Sequence, residues 1–243
     1  MNLLILGGNS DTAFAVAHKF AEKKGANIIL ASRDAEALKK KAKDIEIRHQ
    51  VKAEPVFFDA TDYESHKEFY NNLDPKPDGV VAAFGYLGDQ KTAQHNFHEA
   101  RKIIETNYLG VASILEIVAE DFEKKGRGFI IGISSVAGER GRQSNYLYGS
   151  AKGAMTVYLS GLRNRLQRSS VQVITILPGF IQTKMTENLD LPEKLLATPQ
   201  DVAEDIYRAC VKKRDVVYTK WFWRWIMLVI KLIPEMIFKK LKL

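Results

Sequence analysis

The sequence has very little cysteine, since Cys210 is its only one. A lone cysteine excludes a disulfide framework and a zinc site built from several thiolates, and it fits a reducing compartment. Proline is scarce as well, with 7 in 243 residues. We find no proline-rich or glycine-rich linker, no internal repeat and no low-complexity segment. The length and the 46% apolar content therefore predict one α/β domain with a full core.

A basic leader, a long apolar run and a metal-binding pattern are also missing. Residues 1–6 lead directly into an apolar strand pattern, so we expect no secretory signal. The apolar run at residues 225–230 is far shorter than the roughly 20 residues of a membrane-spanning helix. Among the five histidines, only His95 and His98 have a ligand-like spacing, which fits a polar loop better. We therefore predict no metal site, and the sequence supports no nucleophilic triad.

Short apolar runs alternate with longer amphipathic ones along most of the chain. Near-continuous apolar strands separated by helices predict a doubly wound, mostly parallel sheet of Rossmann type, which binds ligands at the carboxyl ends of its strands. We assign this domain to residues 1–219 and a helical tail to residues 220–243. The strand candidates are residues 2–6, 27–31, 55–58, 79–83, 128–134 and 171–177, and the helix candidates are residues 12–24, 35–51, 62–72, 99–125 and 148–167.

The most informative pattern is Tyr148 followed four residues later by Lys152, with Ser135 upstream. Residues four apart on a helix lie on the same face, so we expect the ammonium to lower the pKa of the phenol. The Ser135 hydroxyl suits a substrate oxygen, and together these groups suit proton transfer to a carbonyl. Ser134 is the alternative hydroxyl. Tyr146 is a rival tyrosine, although no lysine follows it four residues on.

The first strand ends in a turn that suits a dinucleotide. Gly7 opens the turn, and the following residues, Asn9, Ser10, Asp11 and Thr12, lead into a helix whose N-terminal N–H groups can meet a pyrophosphate. The glycine signal is thin, because Asp11 and Ala13 stand where later glycines are expected. The alternative is a plain strand-to-helix turn in which Ser10 or Asp11 is the N-cap.

Residues after the next three strands favour a particular cofactor. Arg33 follows the second strand and Ser32 is not an acid, so NADP(H) is the preferred cofactor, with NAD(H) as the alternative. The other interpretation of Arg33 is a side chain in water. Asp59, followed by Ala60, either accepts a hydrogen bond from an adenine amino group or caps the next helix. The small residues Ala83 and Gly85 let the backbone approach a ribose.

These motifs, in this order, resemble the short-chain dehydrogenase/reductase family over residues 2–212. The resemblance implies hydride transfer between a nicotinamide and a substrate carbon, with a tetrad of Asn107, Ser135, Tyr148 and Lys152. By this resemblance, Tyr148 donates the proton in reduction and Ser135 orients the substrate oxygen. Lys152 lowers the tyrosine pKa and holds the ribose hydroxyls, and Asn107 holds a water that links Lys152 to solvent.

The resemblance also implies contacts with the cofactor. It places Gly7 in the glycine motif, Asp59 at the adenine, and Ala83 with Gly85 in a stretch that here lacks its usual asparagine. The turn after the sixth strand matches as well, with Ile181 and Thr183 at the nicotinamide carboxamide. The residues of that turn which we assign to the cofactor are Pro178, Gly179, Ile181 and Thr183.

A narrower resemblance links residues 84–89, 137–142 and the tail to the decaprenylphosphoryl-2-keto-erythro-pentose reductases. It implies a polyprenyl-phosphate ketosugar as substrate, supplied by a flavin-dependent oxidase partner in cell-wall synthesis. Arg140 and Arg142 suit the substrate phosphate, because guanidinium forks match phosphate geometry; the alternative is a solvated loop. Rival functions are reduction of another lipid carbonyl (a ketoacyl lipid, sterol-like or long-chain ketone) and a nucleotide-binding subunit without turnover.

The net charge of +7 is concentrated at the C-terminus, where residues 216–243 hold six lysines and arginines against one acid. Three tryptophans and a run of aliphatic residues favour lipid over nucleic acid. We expect a helix in the interface of an anionic membrane, on its cytoplasmic face. The alternative is a helix packed on the sheet or across a dimer interface. Family resemblance also implies a homo-oligomer that pairs through residues 99–125 and 148–167.

Overall fold

In the computed structural model, which describes residues 1–183, 186 and 192–241, seven strands form one parallel sheet in the order β3-β2-β1-β4-β5-β6-β7. Its strands are β1 (Asn2–Leu6), β2 (Asn27–Ser32), β3 (Ala53–Phe57), β4 (Gly79–Ala82), β5 (Gly128–Ile133), β6 (Val171–Pro178) and β7 (Val216–Thr219). The helices are α1 (Asp11–Lys24), α2 (Ala35–His49), α3 (Ser65–Asn71), α4 (Gln90–His95), α5 (Phe97–Ile104), α6 (Gly110–Lys125), α7 (Tyr146–Leu166), α8 (Pro199–Val211), α9 (Trp223–Leu232) and α10 (Glu235–Phe238). The predicted doubly wound α/β fold is confirmed.

Both faces of the sheet are buried, as the near-continuous apolar strands predict. Alternate residues of one strand enter different cores, so that Leu3 and Ile5 pack beneath α1, α2 and α8 while Leu4 and Leu6 pack beneath α6 and α7. The strand order reverses between β1 and β4, which are hydrogen-bonded neighbours. A crevice opens at the carboxyl ends of strands at such a reversal, and this is where the candidate residues lie.

The structure differs from the sequence pattern in several places, one of which is residues 90–98, where α4 and the start of α5 replace the polar loop expected around His95 and His98. Residues 99–125 are not one helix, because α5 and α6 are joined by a π-helical turn at Glu105–Leu109. The pattern missed β7, which pairs with β6 at the edge of the sheet. It also missed α8, which begins with Pro199 and a capping box between Thr198 and Asp201. Within the described residues, none of the helices has the length and apolarity needed to span a membrane.

Candidate active site

The turn after β1 requires glycine at one position only. Gly7 has a φ of +89°, and a Cβ there would lie 2.7 Å from the backbone nitrogen of Phe84. Gly7 and Gly8 both donate backbone hydrogen bonds to the carbonyl of Ala31, which closes the turn. Ala13, where a later glycine was expected, is fully buried in the core beneath α1. The thin glycine motif therefore keeps the residue that the turn geometry demands.

The N-terminus of α1 faces a cavity of about 290 Å³. Ser10 is the N-cap, since its Oγ accepts a hydrogen bond of 3.0 Å from the backbone of Ala13. Asn9 Nδ2 donates to Ser32 Oγ over 2.7 Å, while its Oδ1 is buried and has no hydrogen-bond partner among the described residues. A capped helix N-terminus beside an unpaired buried oxygen fits a dinucleotide with its pyrophosphate and hydroxyl groups.

Basic residues lie at the end of β2. Arg33 is exposed, and the neighbouring Asp34 uses its carboxylate to cap α2 through a 3.0 Å bond from Ala37. Lys41 donates a 2.8 Å hydrogen bond to the backbone carbonyl of Asn9, which ties it to the same turn. The sequence analysis did not single out Lys41, although the lysine run at residues 39–41 on α2 was a visible signal.

Asp59 forms a local turn rather than a helix cap. Its Oδ1 accepts from the backbone and hydroxyl of Thr61 over 2.9 and 2.8 Å, and the N-cap of α3 is Glu64. Burial acts to raise the pKa of Asp59, but the Thr61 hydrogen bonds and the charge of Arg33 outweigh it and lower the pKa. Asp59 therefore carries a negative charge near Arg33.

Most of the predicted cofactor residues come together around the 290 Å³ cavity. Gly7, Arg33, Asp59 and Ala60, all within the described part of the chain, lie outside its lining. Ser134, the alternative hydroxyl, also lines the cavity, as do Phe84, Ile133 and Thr186, which were not predicted. The predicted residues that line it are Asn9, Ser10, Asp11, Thr12, Ala83, Gly85, Ser135, Tyr148, Lys152, Pro178, Gly179, Ile181 and Thr183.

Asn107 is fully buried in the π-helical turn, a distortion that is frequent at functional sites. Its Nδ2 donates to the carbonyls of Tyr86 and Ile103 over 2.6 and 2.8 Å, and its Oδ1 accepts from the Tyr86 backbone over 3.2 Å. A Cβ at Gly85 would lie 2.9 Å from this Oδ1 and 3.5 Å from Lys152 Nζ. Gly85 therefore leaves the space in which Asn107 approaches Lys152.

The structure separates the two candidate serines. Ser134 Oγ donates to the carbonyl of Lys152 over 2.9 Å and bonds to Thr156 Oγ1, so it holds α7 against β5. Ser135 instead hydrogen-bonds to the hydroxyl of Tyr148, and its Oγ also accepts from Ala137 over 3.1 Å. Ser135 is therefore the hydroxyl that shares the proton-transfer position with Tyr148.

Burial dominates the ionisation of the two titratable groups of the tetrad. It raises the pKa of Tyr148 to about 12, although the Ser135 hydrogen bond acts in the opposite direction. It lowers the pKa of Lys152 to about 8. Lys152 Nζ donates to the Ile133 carbonyl over 3.0 Å and lies 5.8 Å from the Tyr148 ring centroid. Burial therefore outweighs the groups that lower the pKa of Tyr148, and the phenol is protonated at neutral pH; the lowering by Lys152 stays a prediction.

A second cavity of about 840 Å³ adjoins the first and shares Ser135, Tyr148, Gly179 and Thr186 with it. We call it the outer cleft. Its remaining lining comes from residues 87–91 and 142–145, together with Gln94, Val136, Ala137 and Phe180. Because Tyr148 lies on the wall common to both cavities, a molecule in the outer cleft can reach its hydroxyl beside the first cavity.

Arg140 does not lie at the site, and the prediction that it binds a substrate phosphate does not fit the structure. Its guanidinium donates to the carbonyls of Ile230 and Ile233 at the end of α9 over 2.5 and 2.7 Å. It also pairs with Glu235 and stacks 3.7 Å above the Phe238 ring. The N–H groups of the Arg140 guanidinium are therefore used by backbone carbonyls that have no partner within the helix, and they are not available to a phosphate. Arg142 does line the outer cleft.

The tail packs on the site with one face of α9. Trp223 and Met227 are buried against Val136 and Leu177, and a Cβ at Gly179 would lie 2.0 Å from the Trp223 ring. The opposite face is exposed. The large apolar side chains exposed on α9, on α10 and beside these two helices are Trp221, Trp225, Leu228, Val229, Leu232, Met236, Ile237 and Leu241, and we call them the apolar tail face. Residues 242 and 243, the end of the predicted tail, lie outside the described residues.

The comparisons with known proteins agree with this geometry. A family model of short chain dehydrogenases matches residues 2–194. An uncharacterized oxidoreductase of Mycobacterium tuberculosis (strain ATCC 25618 / H37Rv) is 34% identical over 242 residues, which cover 98% of this chain and 96% of the relative. An NADP-dependent 3-hydroxy acid dehydrogenase of Schizosaccharomyces pombe is 27% identical over 230 residues, 88% of each chain.

Among solved structures, a short-chain dehydrogenase from Sphingobium yanoikuyae in complex with NADPH has a TM-score of 0.84 to this chain. The two share 21% sequence identity, and the match covers 94% of this chain and 91% of the other. At this identity the likeness shows a common fold.

Proposed function

The chain belongs to the short-chain dehydrogenase family and is an oxidoreductase, and we propose that it uses NADPH to reduce a lipophilic carbonyl compound. The observation that carries this proposal is Tyr148, a phenol protonated at neutral pH that hydrogen-bonds to Ser135 on the wall between the two cavities. A protonated acid at this point suits reduction, because the carbonyl oxygen needs a proton as it becomes an alcohol.

NADPH is the proposed cofactor because the end of β2 is basic. Arg33 is exposed there, Lys41 is tied to the adjoining turn, and the Asp34 carboxylate caps α2. A cation at this position accommodates a 2′-phosphate. The names of the yeast relative and of the Sphingobium complex, which specify NADP and NADPH, support the same choice. A nicotinamide dinucleotide bound in the first cavity supplies the hydride.

The protein's own side chains place the carbonyl and supply the proton. Ser135 donates a hydrogen bond to the substrate oxygen, and Tyr148 transfers its proton to that oxygen as the alcohol forms. The buried ammonium of Lys152 stabilises the resulting phenolate, which carries charge in surroundings of low dielectric. Asn107, locked by three hydrogen bonds in the π-helical turn, positions the helix end and Gly85 around that ammonium.

The substrate that we propose is a polyprenyl-phosphate-linked 2-ketopentose, with another lipid carbonyl as the second candidate. The resemblance of residues 84–89 and 137–142 to ketopentose reductases supports the first. The outer cleft supports both, because it combines apolar groups such as Phe180 and Val136 with Arg142 and several carboxamides. A flavin-dependent oxidase that produces the ketone remains the proposed partner.

We further propose that the protein works on the cytoplasmic face of an anionic membrane. The apolar tail face is highly exposed, with Trp221, Leu232 and Met236 at 74%, 72% and 70%. Several large exposed apolar side chains within one short segment favour an interaction site. Arg224, Lys239 and Lys240 are exposed, and no carboxylate of the described residues pairs with them. Tryptophan and unpaired cations beside aliphatic residues suit a lipid interface with anionic headgroups.

A panel of carbonyl compounds tests the proposed activity. Consumption of NADPH and of NADH is followed with long-chain ketones, ketoacyl esters, a sterol-like ketone and a short-chain polyprenyl-phosphate 2-ketopentose. We expect turnover with NADPH that is fastest with the ketopentose. Tight binding of NADPH without consumption by any of these compounds would instead support a nucleotide-binding subunit without turnover.

A further inference from the structure

The outer cleft contains a cluster of buried polar atoms that the tetrad does not use. Among the described residues, eight buried side-chain nitrogen or oxygen atoms have no hydrogen-bond partner, and three of them belong to residues that line this cleft. These three are Gln90 Nε2, Arg142 Nε and Asn145 Oδ1. A buried polar group that is left unpaired destabilises the fold. Three of them around one cavity therefore point to a ligand that pairs with them.

The amide of Gln90 has a fixed orientation. It lies at the start of α4, and its Oε1 accepts a 3.1 Å hydrogen bond from the backbone of Leu147 on α7. That contact settles which end of the amide is the acceptor, so the unpaired Nε2 is a donor. Gln90 therefore offers two N–H groups to an acceptor oxygen of a molecule in the cleft.

Asn145 occupies a helix N-cap without acting as a cap. It precedes α7, but its side chain makes no capping hydrogen bond. An asparagine at this position normally accepts from a backbone N–H of the first turn. Its buried Oδ1 is instead left as an acceptor, which suits a hydroxyl group of a ligand.

Arg142 brings a positive charge to the outer cleft, where Glu139 is the acid whose charge acts on it. No carboxylate of the described residues lies within ion-pair distance, and its hydrogen bond goes to the Met227 sulfur over 3.2 Å. Glu139 makes no ion pair with Arg142: its Oε1 accepts from Tyr218 and Lys231 over 2.8 and 2.5 Å, and its buried Oε2 has no hydrogen-bond partner among the described residues. A partly buried guanidinium that hydrogen-bonds to a thioether favours an anionic ligand.

We propose that Gln90, Arg142 and Asn145 form a binding site, here called the headgroup site, that recognises the polar end of an anionic, hydroxylated ketone. Arg142 binds the anionic oxygens, Gln90 donates to a second oxygen, and Asn145 accepts from a hydroxyl. The apolar remainder of the substrate lies along Val136 and Phe180. This inference rests on the proposed carbonyl reduction at Tyr148 and adds the substrate class and the residues that select it.

Three ketones of graded polarity test the headgroup site: a 2-ketopentose phosphate, the free 2-ketopentose and cyclopentanone. For Arg142→Gln we expect a KM at least tenfold higher for the phosphate, since a charge-assisted hydrogen bond contributes about 1.5–3 kcal/mol. The KM for cyclopentanone and each kcat should stay within twofold. Gln90→Leu and Asn145→Ala should raise the KM of both sugars but not that of cyclopentanone.

Two further variants separate recognition from structure. Arg142→Lys keeps a cation and should recover part of the affinity for the phosphate. Arg168→Gln is the matched control, because Arg168 is exposed on the 3-10 turn after α7 and should change nothing. NADPH binding and melting temperature check that each variant is folded.

Failure of the headgroup site and failure of the proposed carbonyl reduction give different results. If the wild type reduces none of the three ketones or the wider panel, the proposed function fails. If it reduces cyclopentanone as well as the sugar phosphate, and Arg142→Gln has no effect, the headgroup site is wrong while the reductase stands. An equal loss of kcat for all three ketones in Arg142→Gln would make Arg142 a structural residue and would also overturn the inference.

Discussion

At the scale of single residues, the active site depends on two groups whose charged forms burial disfavours. The pKa of Tyr148 is raised to about 12 and that of Lys152 is lowered to about 8. Both shifts follow from removal from water. The tyrosine is therefore a neutral acid at physiological pH, while the lysine is a cation that the fold holds at a cost in stability.

Replacing Lys152 by methionine should stabilise the protein at neutral pH. The folded pKa of Lys152, about 8, lies below its ordinary value of 10.5, so between these values the unfolded chain binds more protons and wild-type stability rises with pH. Below pH 8 the wild type carries the whole destabilisation from its buried ammonium, which is about 3 kcal/mol because each unit of pKa shift corresponds to about 1.36 kcal/mol. Urea unfolding should show that Lys152→Met has a larger free energy of unfolding than the wild type at pH 7 and that this difference disappears at pH 10.5. A variant less stable than wild type at pH 7 would contradict the account.

The rate of ketone reduction should fall as the pH rises through about 8. Lys152 loses its charge there, whereas Tyr148, with its pKa of about 12, keeps its proton. Initial rates from pH 6 to 10 at saturating NADPH measure this, and NADPH binding at each pH shows whether the cofactor site changes. A rate that stays flat to pH 10 would show that the charge of Lys152 does not assist the proton transfer.

At the scale of elements, local spacing predicts the strands and helices but not the contacts between distant segments. The strand-end motifs follow from alternation and the pairing of Tyr148 with Lys152 from the four-residue helical repeat, whereas the tetrad as a set was implied by the family resemblance; the structure brings Ser135, Tyr148 and Lys152 together at one cavity. The role of Arg140 could not be predicted, because its partners are carbonyls at the end of α9. The π-helical turn was also hidden, since its apolar pattern continues that of α5 and α6.

The contact between α9 and the turn after β6 can be tested with two glycines. A Cβ at Gly179 would lie 2.0 Å from the Trp223 ring, so Gly179→Ala should displace α9 and cost about 1–3 kcal/mol as overpacking. Gly161, on the exposed side of α7, has nothing within 4 Å of such a Cβ. Gly161→Ala should therefore gain about 0.5–1 kcal/mol. Thermal melts and tryptophan fluorescence measure both, and equal melting temperatures for the two variants would rule out the contact.

At the scale of the whole molecule, the tail connects the site to a surface. One face of α9 packs on the wall of the outer cleft, and the other belongs to the apolar tail face. The ten residues of α9 extend for only about 15 Å, so the helix suits the plane of a membrane interface. This arrangement would place the outer cleft close to lipid-borne substrates. The predicted pairing of two copies through α6 and α7 stays a prediction.

Binding to anionic vesicles should depend on the apolar tail face. Trp225→Glu combined with Leu232→Glu places two acids on this face and should abolish co-sedimentation with vesicles of phosphatidylglycerol and phosphatidylcholine. Ile47→Glu is the control, because Ile47 is 68% exposed on α2, away from the tail. Loss of binding in the tail variant alone is the expected result. Equal vesicle binding by the wild type, the tail variant and Ile47→Glu, or no binding by the wild type, would refute the proposal that the apolar tail face binds a membrane.

The most direct test of the central claim is a single turnover of the NADPH-loaded protein with a ketone that the wild type reduces. Tyr148→Phe should bind NADPH as the wild type does but consume it at least a hundredfold more slowly, because the proton donor is gone. Tyr146→Phe, two residues away and partly exposed, should react at the wild-type rate. If Tyr148→Phe consumes NADPH at the wild-type rate, Tyr148 is not the proton donor and the proposed reaction is wrong.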